Sequence, residues 1–159
     1  MNKLIGILVV LAVAGWLLSS NESLPEMTLT QYGALASQRG EDVSVGGICG
    51  FSKCLTVYVA PWCPACRSLH PTIVSLIEEL RDEGITAQLI VGKDAVEKVK
   101  KYAKTYPFPV LLDADGSYFQ LAKLKAVPTF IVTDTSGDII NKVNGGYASV
   151  HMMRDKLKI

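Results

Sequence analysis

The stretch Trp62-Cys63-Pro64-Ala65-Cys66 admits few folds. Two cysteines three apart follow an apolar run, Leu55 to Ala60, and precede a long pattern of helical periodicity. That order predicts a strand, a tight turn and a helix that opens on Cys-X-X-Cys. Cys63 then falls at or beside the helix N-terminus, where unpaired backbone N–H groups and the helix dipole favour an anion. A thiolate is such an anion, so Cys63 is expected to be reactive. Pro64 suits the first turn, where its missing N–H would have had no partner. Cys66, one turn on and on the same face, is placed to resolve a mixed disulfide.

Other readings of the same pair exist. Cys63 and Cys66 are half of a zinc site if Cys49 and Cys54 supply the other half, because zinc needs all four sulfurs in one tetrahedron. A strand of six residues at ~3.3 Å each puts roughly 20 Å between Cys54 and Cys63, which argues against a shared metal. An inert disulfide and two unlinked thiols are the remaining alternatives. Thiol–disulfide exchange fits the strand, turn and helix best, and no metal or cofactor is expected. Cys49 and Cys54 flank a proposed turn and read as a structural disulfide of an oxidising compartment. A second redox pair relaying to Cys63 is the alternative.

The chain has 159 residues, four cysteines and a formal net charge of +1. That length suits one domain with a real core. The near-balanced charge gives no reason to expect nucleic acid as a partner. Residues 1–20 read as an N-terminal membrane anchor or signal segment: Lys3 precedes an uncharged run from Leu4 to Leu18. Ala12-Val13-Ala14 is the best small-x-small cleavage candidate and lies inside the apolar run, which favours an uncleaved anchor over a cleaved signal. Lys3 on one side, with Glu22 and Glu26 on the other, predicts that the following domain lies outside the cytoplasm. Residues 21–27 read as a polar linker, and residues 28–159 as the folded domain.

Within that domain Thr28 reads as the N-cap of a helix with the stripe Leu29, Tyr32, Leu35 and Ala36, ended by Arg39-Gly40. Strands are expected at Val43–Cys49 and Cys54–Ala60, joined as a hairpin through residues 50–53. The second is apolar on both faces, as a central strand is. The Cys63 helix runs to about Glu83 and is kinked by Pro71. A strand at Thr86–Val91, a lysine-rich helix from Ala95 to Tyr106 capped by Asp94, and a short strand at Val110–Leu112 follow. Then come a short helix from Ser117, two antiparallel strands around Ser136-Gly137, and a last helix capped by Ser149. The fold class is α/β, with a mixed central sheet flanked by helices.

Val127-Pro128-Thr129-Phe130 is the second signal. Proline at the head of an apolar strand reads either as a simple strand-initiating trans residue or as a cis-proline packed beside the cysteines, where it leaves backbone free for a substrate.

These motifs together resemble the thioredoxin superfamily: the Trp62–Cys66 stretch, Pro71 five residues after the second cysteine, and Val127-Pro128-Thr129. The lysine-rich helix ending in Tyr106, Pro109–Asp113, the run from Val127 to Asp134, Gly137 and Gly145 resemble its TlpA-type branch more particularly. The resemblance spans roughly residues 40 to 158. It implies a thioredoxin-like fold with Cys63 as nucleophile, Cys66 as resolving thiol and Pro128 as cis-proline. It also implies contacts to substrate from Trp62, Val127 and Pro128, and a thiol–disulfide oxidoreductase acting on protein disulfides. The expected site is the outer face of a bacterial inner membrane, tethered through the N-terminus or secreted to the periplasm, with a membrane or extracytoplasmic dithiol donor. An oxidase or isomerase, and a redox-inactive or copper-handling binding module, are the alternatives. Two positions depart from the pattern. Val57 stands where many thioredoxins have a buried acid six residues before the first cysteine, so the proton acceptor for Cys66 is sought in water or in a carboxylate such as Glu78 or Glu79. Pro64-Ala65 replaces Gly-Pro, which leaves the working direction open.

Overall fold

The computed structural model describes residues 22–33, 40–50 and 52–159. The anchor expected at 1–20 lies outside them. Among the described residues no helix is long and apolar enough to cross a membrane.

Seven strands form one mixed sheet: β1 (Met27–Tyr32), β2 (Asp42–Val45), β3 (Cys54–Val59), β4 (Thr86–Gly92), β5 (Val110–Asp113), β6 (Thr129–Thr133) and β7 (Ile139–Asn144). Their order across the sheet is β2-β1-β5-β4-β3-β6-β7. The centre, β3-β4-β5, is parallel, and antiparallel strands extend it on both sides. Among the described residues there are five helices: α1 (Pro64–Ser68), α2 (His70–Asp82), α3 (Val96–Ala103), α4 (Ser117–Leu121) and α5 (Val150–Leu157). The alternation of β3 puts Leu55, Val57 and Val59 into a core shared with Ile73, Leu76 and Ile77 of α2, Val99 of α3 and Met153 of α5. Tyr58 and Ile90 face the other way, into a core closed by Tyr118 and Phe119 of α4 and by Leu24. Both faces of the central strands are covered, as a parallel segment requires.

Three expectations are corrected. Residues 27–32 form a strand, not the first turns of a helix. Met27-Thr28-Leu29-Thr30 alternates, with Leu29 inward and Thr28 and Thr30 outward. Pairing with β2 on one side and β5 on the other outweighs a local capping signal. Residues 34–39 of the proposed helix lie outside the described residues. The 43–49 and 54–60 segments are not a hairpin either. β2 pairs with β1, while β3 sits four strands away between β4 and β6. Lastly, the 21–27 stretch does not behave as a free linker from Glu22 onward. Leu24 is buried, its N–H donates to the Gly137 carbonyl at 3.0 Å, and Ser23 bridges to Asp138. Gly46 permits this close approach: with φ at +80°, its missing Cβ would meet the Pro25 carbonyl oxygen at 2.2 Å.

Cys49 and Cys54 are nevertheless joined by a disulfide, with Cα atoms 5.9 Å apart. Cys49 is buried and its N–H donates to the Thr135 carbonyl, while Cys54 faces Thr133 across the β3–β6 ladder. The link pins the loop after β2 to the start of β3, at the end of β3 away from Cys63. The enclosed loop is short, so chain-entropy arguments give it about 2 kcal/mol. Cys49→Ala/Cys54→Ala is therefore expected to lose about that much stability in urea unfolding. Its rate of disulfide exchange at Cys63 should stay within twofold of the parent's in a stopped-flow assay.

Candidate active site

β3 ends at Val59, and Pro61-Trp62 turn the chain directly into α1. Cys63 is the N-cap of α1, with extended backbone (φ −83°, ψ 114°), and Pro64 occupies the first turn. The Cys63 N–H donates to the Ala60 carbonyl at 3.1 Å, closing the turn. The Cys66 N–H points at Cys63 Sγ, 3.1 Å away. A sulfur in the N-cap position thus takes the hydrogen bond that a serine or aspartate oxygen would accept there, and that bond strengthens when the sulfur carries charge.

The helix expected from Cys63 to Glu83 is two helices. Pro71 lies in the first turn of α2, and Leu69 caps both segments with a backbone near φ −88°, ψ 0°. Pro71 has no N–H to continue the ladder, so the break falls just before it. Within α1 this leaves Cys63 and Cys66 on the buried side, 3% and 0% exposed, both as free thiols. Burial first, and then the hydrogen bond with Cys63, push the Cys66 thiol well above the ordinary thiol range.

The Val127–Pro128 bond is cis. It brings the Val127 carbonyl to 3.4 Å from Cys63 Sγ, where it accepts from the thiol. The Gly145 N–H donates to the Pro128 carbonyl at 2.8 Å. Thr129, fully buried, donates to the Ala126 carbonyl and lies 2.8 Å from the Asn144 side-chain oxygen. The loop ahead of β6 is therefore anchored from both sides, and its Val127 edge faces Cys63. Trp62 is 52% exposed, with its indole N–H held by the Lys93 carbonyl at 2.8 Å. The structure thus gathers Trp62, Cys63, Cys66, Val127 and Pro128 at one end of the sheet, while Cys49 and Cys54 lie at the other and spend their sulfurs on each other.

Among the described residues neither proposed carboxylate, Glu78 nor Glu79, replaces the acid missing at Val57. Val57 is buried in β3 opposite Leu89 and Phe130. Glu78 and Glu79 are exposed on α2, and Glu79 faces Arg154 at 3.7 Å. They do not serve Cys66. His70 turns away from the cysteines as well: its ring packs on Tyr106 at 4.4 Å and its Nε2 lies 3.1 Å from Thr105 Oγ1. His151 sits on the exposed face of α5, 3.5 Å from Asp155.

Sequence reasoning missed four neighbours of the motif. Lys93, at φ +61°, offers the carbonyl that holds Trp62. Arg67 folds back to donate to the Pro61 carbonyl at 2.8 Å. Tyr102 of α3 and Tyr106, just past its end, share a hydroxyl–hydroxyl contact of 3.3 Å. The i, i+4 spacing of those tyrosines is visible in the sequence, whereas the two carbonyl contacts depend on the fold.

Comparison with known proteins agrees with this geometry. Thioredoxin-like thiol–disulfide proteins share the fold. A solved example is the pneumococcal exposed lipoprotein thioredoxin Etrx1 of Streptococcus pneumoniae, with a TM-score of 0.64 at 19% identity, over 84% of this chain and 98% of that one. Among curated proteins, the thioredoxin-like protein YneN of Bacillus subtilis is 28% identical over 98% of this chain and 96% of its own length. The thiol–disulfide oxidoreductase ResA of Bacillus cereus is 28% identical over 53% of this chain, and mouse nucleoredoxin is 28% identical over 69%. The chain spans half the length of that ResA and about a quarter of nucleoredoxin, with 50% and 26% of them covered. The model of the Redoxin family matches residues 19–155, most of the chain including every residue of the site. The chain belongs to the Redoxin family.

Proposed function

We propose that this protein is a thiol–disulfide oxidoreductase that reduces protein disulfides outside the cytoplasm. One observation carries the reading: a free Cys63 sulfur, held by the Cys66 N–H at a helix start, lies 3.4 Å from the carbonyl that precedes cis-Pro128. In the first step the Cys63 thiolate attacks a substrate disulfide. A Cys63–sulfur bond forms, the substrate S–S bond breaks, and one substrate sulfur leaves as thiol. In the second, the Cys66 thiolate attacks Cys63 Sγ and expels the other substrate sulfur. The substrate gains two electrons and two protons, and the protein is left with a Cys63–Cys66 disulfide. An extracytoplasmic dithiol donor must then return both electrons. Trp62, Val127 and Pro128 form the surface over which the substrate segment lies.

The location is supported by the Cys49–Cys54 disulfide, which suits an oxidising compartment, and by the uncharged run from Leu4 to Leu18. It also accords with the exposed lipoprotein among the similar structures. On this reading residues 1–20 tether the domain to the outer face of a bacterial inner membrane.

The direction is tested by the reduction potential of the Cys63/Cys66 pair. A value near the roughly −270 mV of thioredoxin fits a reductant, and one near about −120 mV identifies an oxidase instead. The second step has its own signature. Because Cys66 is held above the ordinary thiol range, its thiolate fraction rises close to tenfold per pH unit across neutrality. Release of product from a preformed Cys63 mixed disulfide should accelerate about tenfold per unit from pH 6 to 9, as read by stopped flow. A plateau near pH 7 would show that Cys66 is activated by a group other than those identified.

A further inference from the structure

A groove of about 490 Å³ opens beside the reactive pair, between the turn before α1 and the exposed side of α3. Its inner end is Trp62, the residue joined directly to Cys63, so a chain disulfide-bonded to Cys63 passes its mouth. Its floor is apolar, from Trp62 and the half-buried Tyr102, and its rim is charged. Arg67, Lys98 and Lys101 stand on that rim with one acid, Asp94. Asp94 is already engaged. Its Oδ1 accepts from the Ala95 N–H at 2.8 Å and lies 3.4 Å from Lys98 Nζ. Arg67 is oriented by a carbonyl, that of Pro61, which leaves its charge uncompensated. Among the described residues no carboxylate pairs with Arg67 or Lys101.

We propose that this groove is a specificity site that takes an acidic segment flanking the target disulfide of the protein substrate. The proposal rests on the oxidoreductase reading and narrows it to substrates with Asp or Glu close to the attacked cysteine. Charge complementarity selects the occupant. Two uncompensated cations on a concave, part-apolar wall favour an extended acidic chain that also lays an apolar side chain on Trp62. A flat lipid surface would meet the convex outer face of α3 and leave the groove empty.

The test uses the full chain, reduced beforehand with dithiothreitol and freed of excess reagent. Its targets are three peptides that share one cystine and carry acidic, neutral or basic flanks. Their second-order rate constants for oxidation of the reduced protein in a single turnover are compared at low ionic strength, with uncharged hydroxyethyl disulfide as control. Each exposed ion pair contributes modestly, so the acidic peptide should exceed the basic one by on the order of tenfold. Salt at 0.5 M should remove most of that difference. Lys98→Glu/Lys101→Glu should invert the ratio, and because the ratio is taken within one protein, a general loss of activity cancels. Equal rate constants for the three peptides, with normal reduction of hydroxyethyl disulfide, overturn the groove and leave the oxidoreductase intact. Failure to reduce hydroxyethyl disulfide at all overturns the underlying activity. Equal peptide rates together with charge-dependent sedimentation on phosphatidylglycerol vesicles would assign the cations to a lipid surface instead.

Discussion

Cys63→Ser should lower the rate of disulfide exchange by at least about 10³-fold, because a serine hydroxyl stays protonated at neutral pH and cannot displace a disulfide sulfur. Cys66→Ser should behave differently. The first attack is retained, since Cys63 keeps its helix N-terminus, but nothing expels the second substrate sulfur. The variant should therefore accumulate a covalent adduct through Cys63, visible as a mass increase that dithiothreitol reverses. The two losses separate attack from release, and a double variant should form no adduct. Both single variants ought to fold. The sulfur-to-oxygen change is small, and serine is a favoured N-cap that can accept from the residue 66 N–H. Adduct formation by Cys63→Ser through Cys66 would reverse the assigned roles. That outcome is disfavoured by the geometry, since Cys66 is fully buried and lacks the N-terminal hydrogen bond that Cys63 receives.

The legible parts of this protein are those whose signals are local. Cys63 follows an apolar strand and opens a helix, and both facts stand in consecutive residues. Ser149 caps α5 as its position suggests, accepting from the Met152 N–H. Val-Pro-Thr marks the head of β6 for the same reason. What failed was decided by distant chain. Met27–Tyr32 carries a capping box and an alternating pattern at once, and the free edge of β5 settles which one is used. Cys49 and Cys54 resemble the ends of a hairpin, yet their strands are separated by β1, β5 and β4. Their sulfurs meet because the loop after β2 crosses to the end of β6 at Thr135. The proton acceptor is the informative miss. A missing acid at Val57 is plain in the sequence, but that Glu78 and Glu79 stand exposed on α2 and do not take its place is visible only in the fold. The buried Cys66 thiol is the physical consequence.

The largest effect on stability is expected away from the cysteines, at Asp113. This residue ends β5 and is 2% exposed. Its side chain accepts from the Tyr58 hydroxyl at 2.7 Å, the Tyr118 N–H at 2.9 Å and the Phe119 N–H at 3.0 Å. One carboxyl group thus joins the central strand β3 to the first turn of α4. The surroundings are tight: a Cβ at Gly92 would sit 2.2 Å from the Tyr58 hydroxyl and 2.3 Å from the Asp113 carbonyl, so only glycine fits beside this carboxyl group. Asp113→Ala strands three buried donors at once. Each costs about 1–3 kcal/mol when unpaired, and because they share one site the sum is less than additive, so about 3–5 kcal/mol is expected. In a chain of this size that lowers the thermal midpoint by roughly 10 °C. Asp113→Asn keeps the shape and one acceptor oxygen and should cost about half as much. The loss should also reach the site. The Asp113 carbonyl accepts from the Lys93 N–H at 2.9 Å, and the Lys93 carbonyl in turn holds Trp62. Below its midpoint Asp113→Ala should bind peptide disulfides more weakly, with KM raised severalfold, while kcat, set by Cys63 and Cys66, changes less. An Asp113→Ala protein that unfolds within 1 kcal/mol of the parent would mean that α4 is held by the packing of Phe119 on Tyr58, 5.3 Å between ring centres, and not by this carboxyl group.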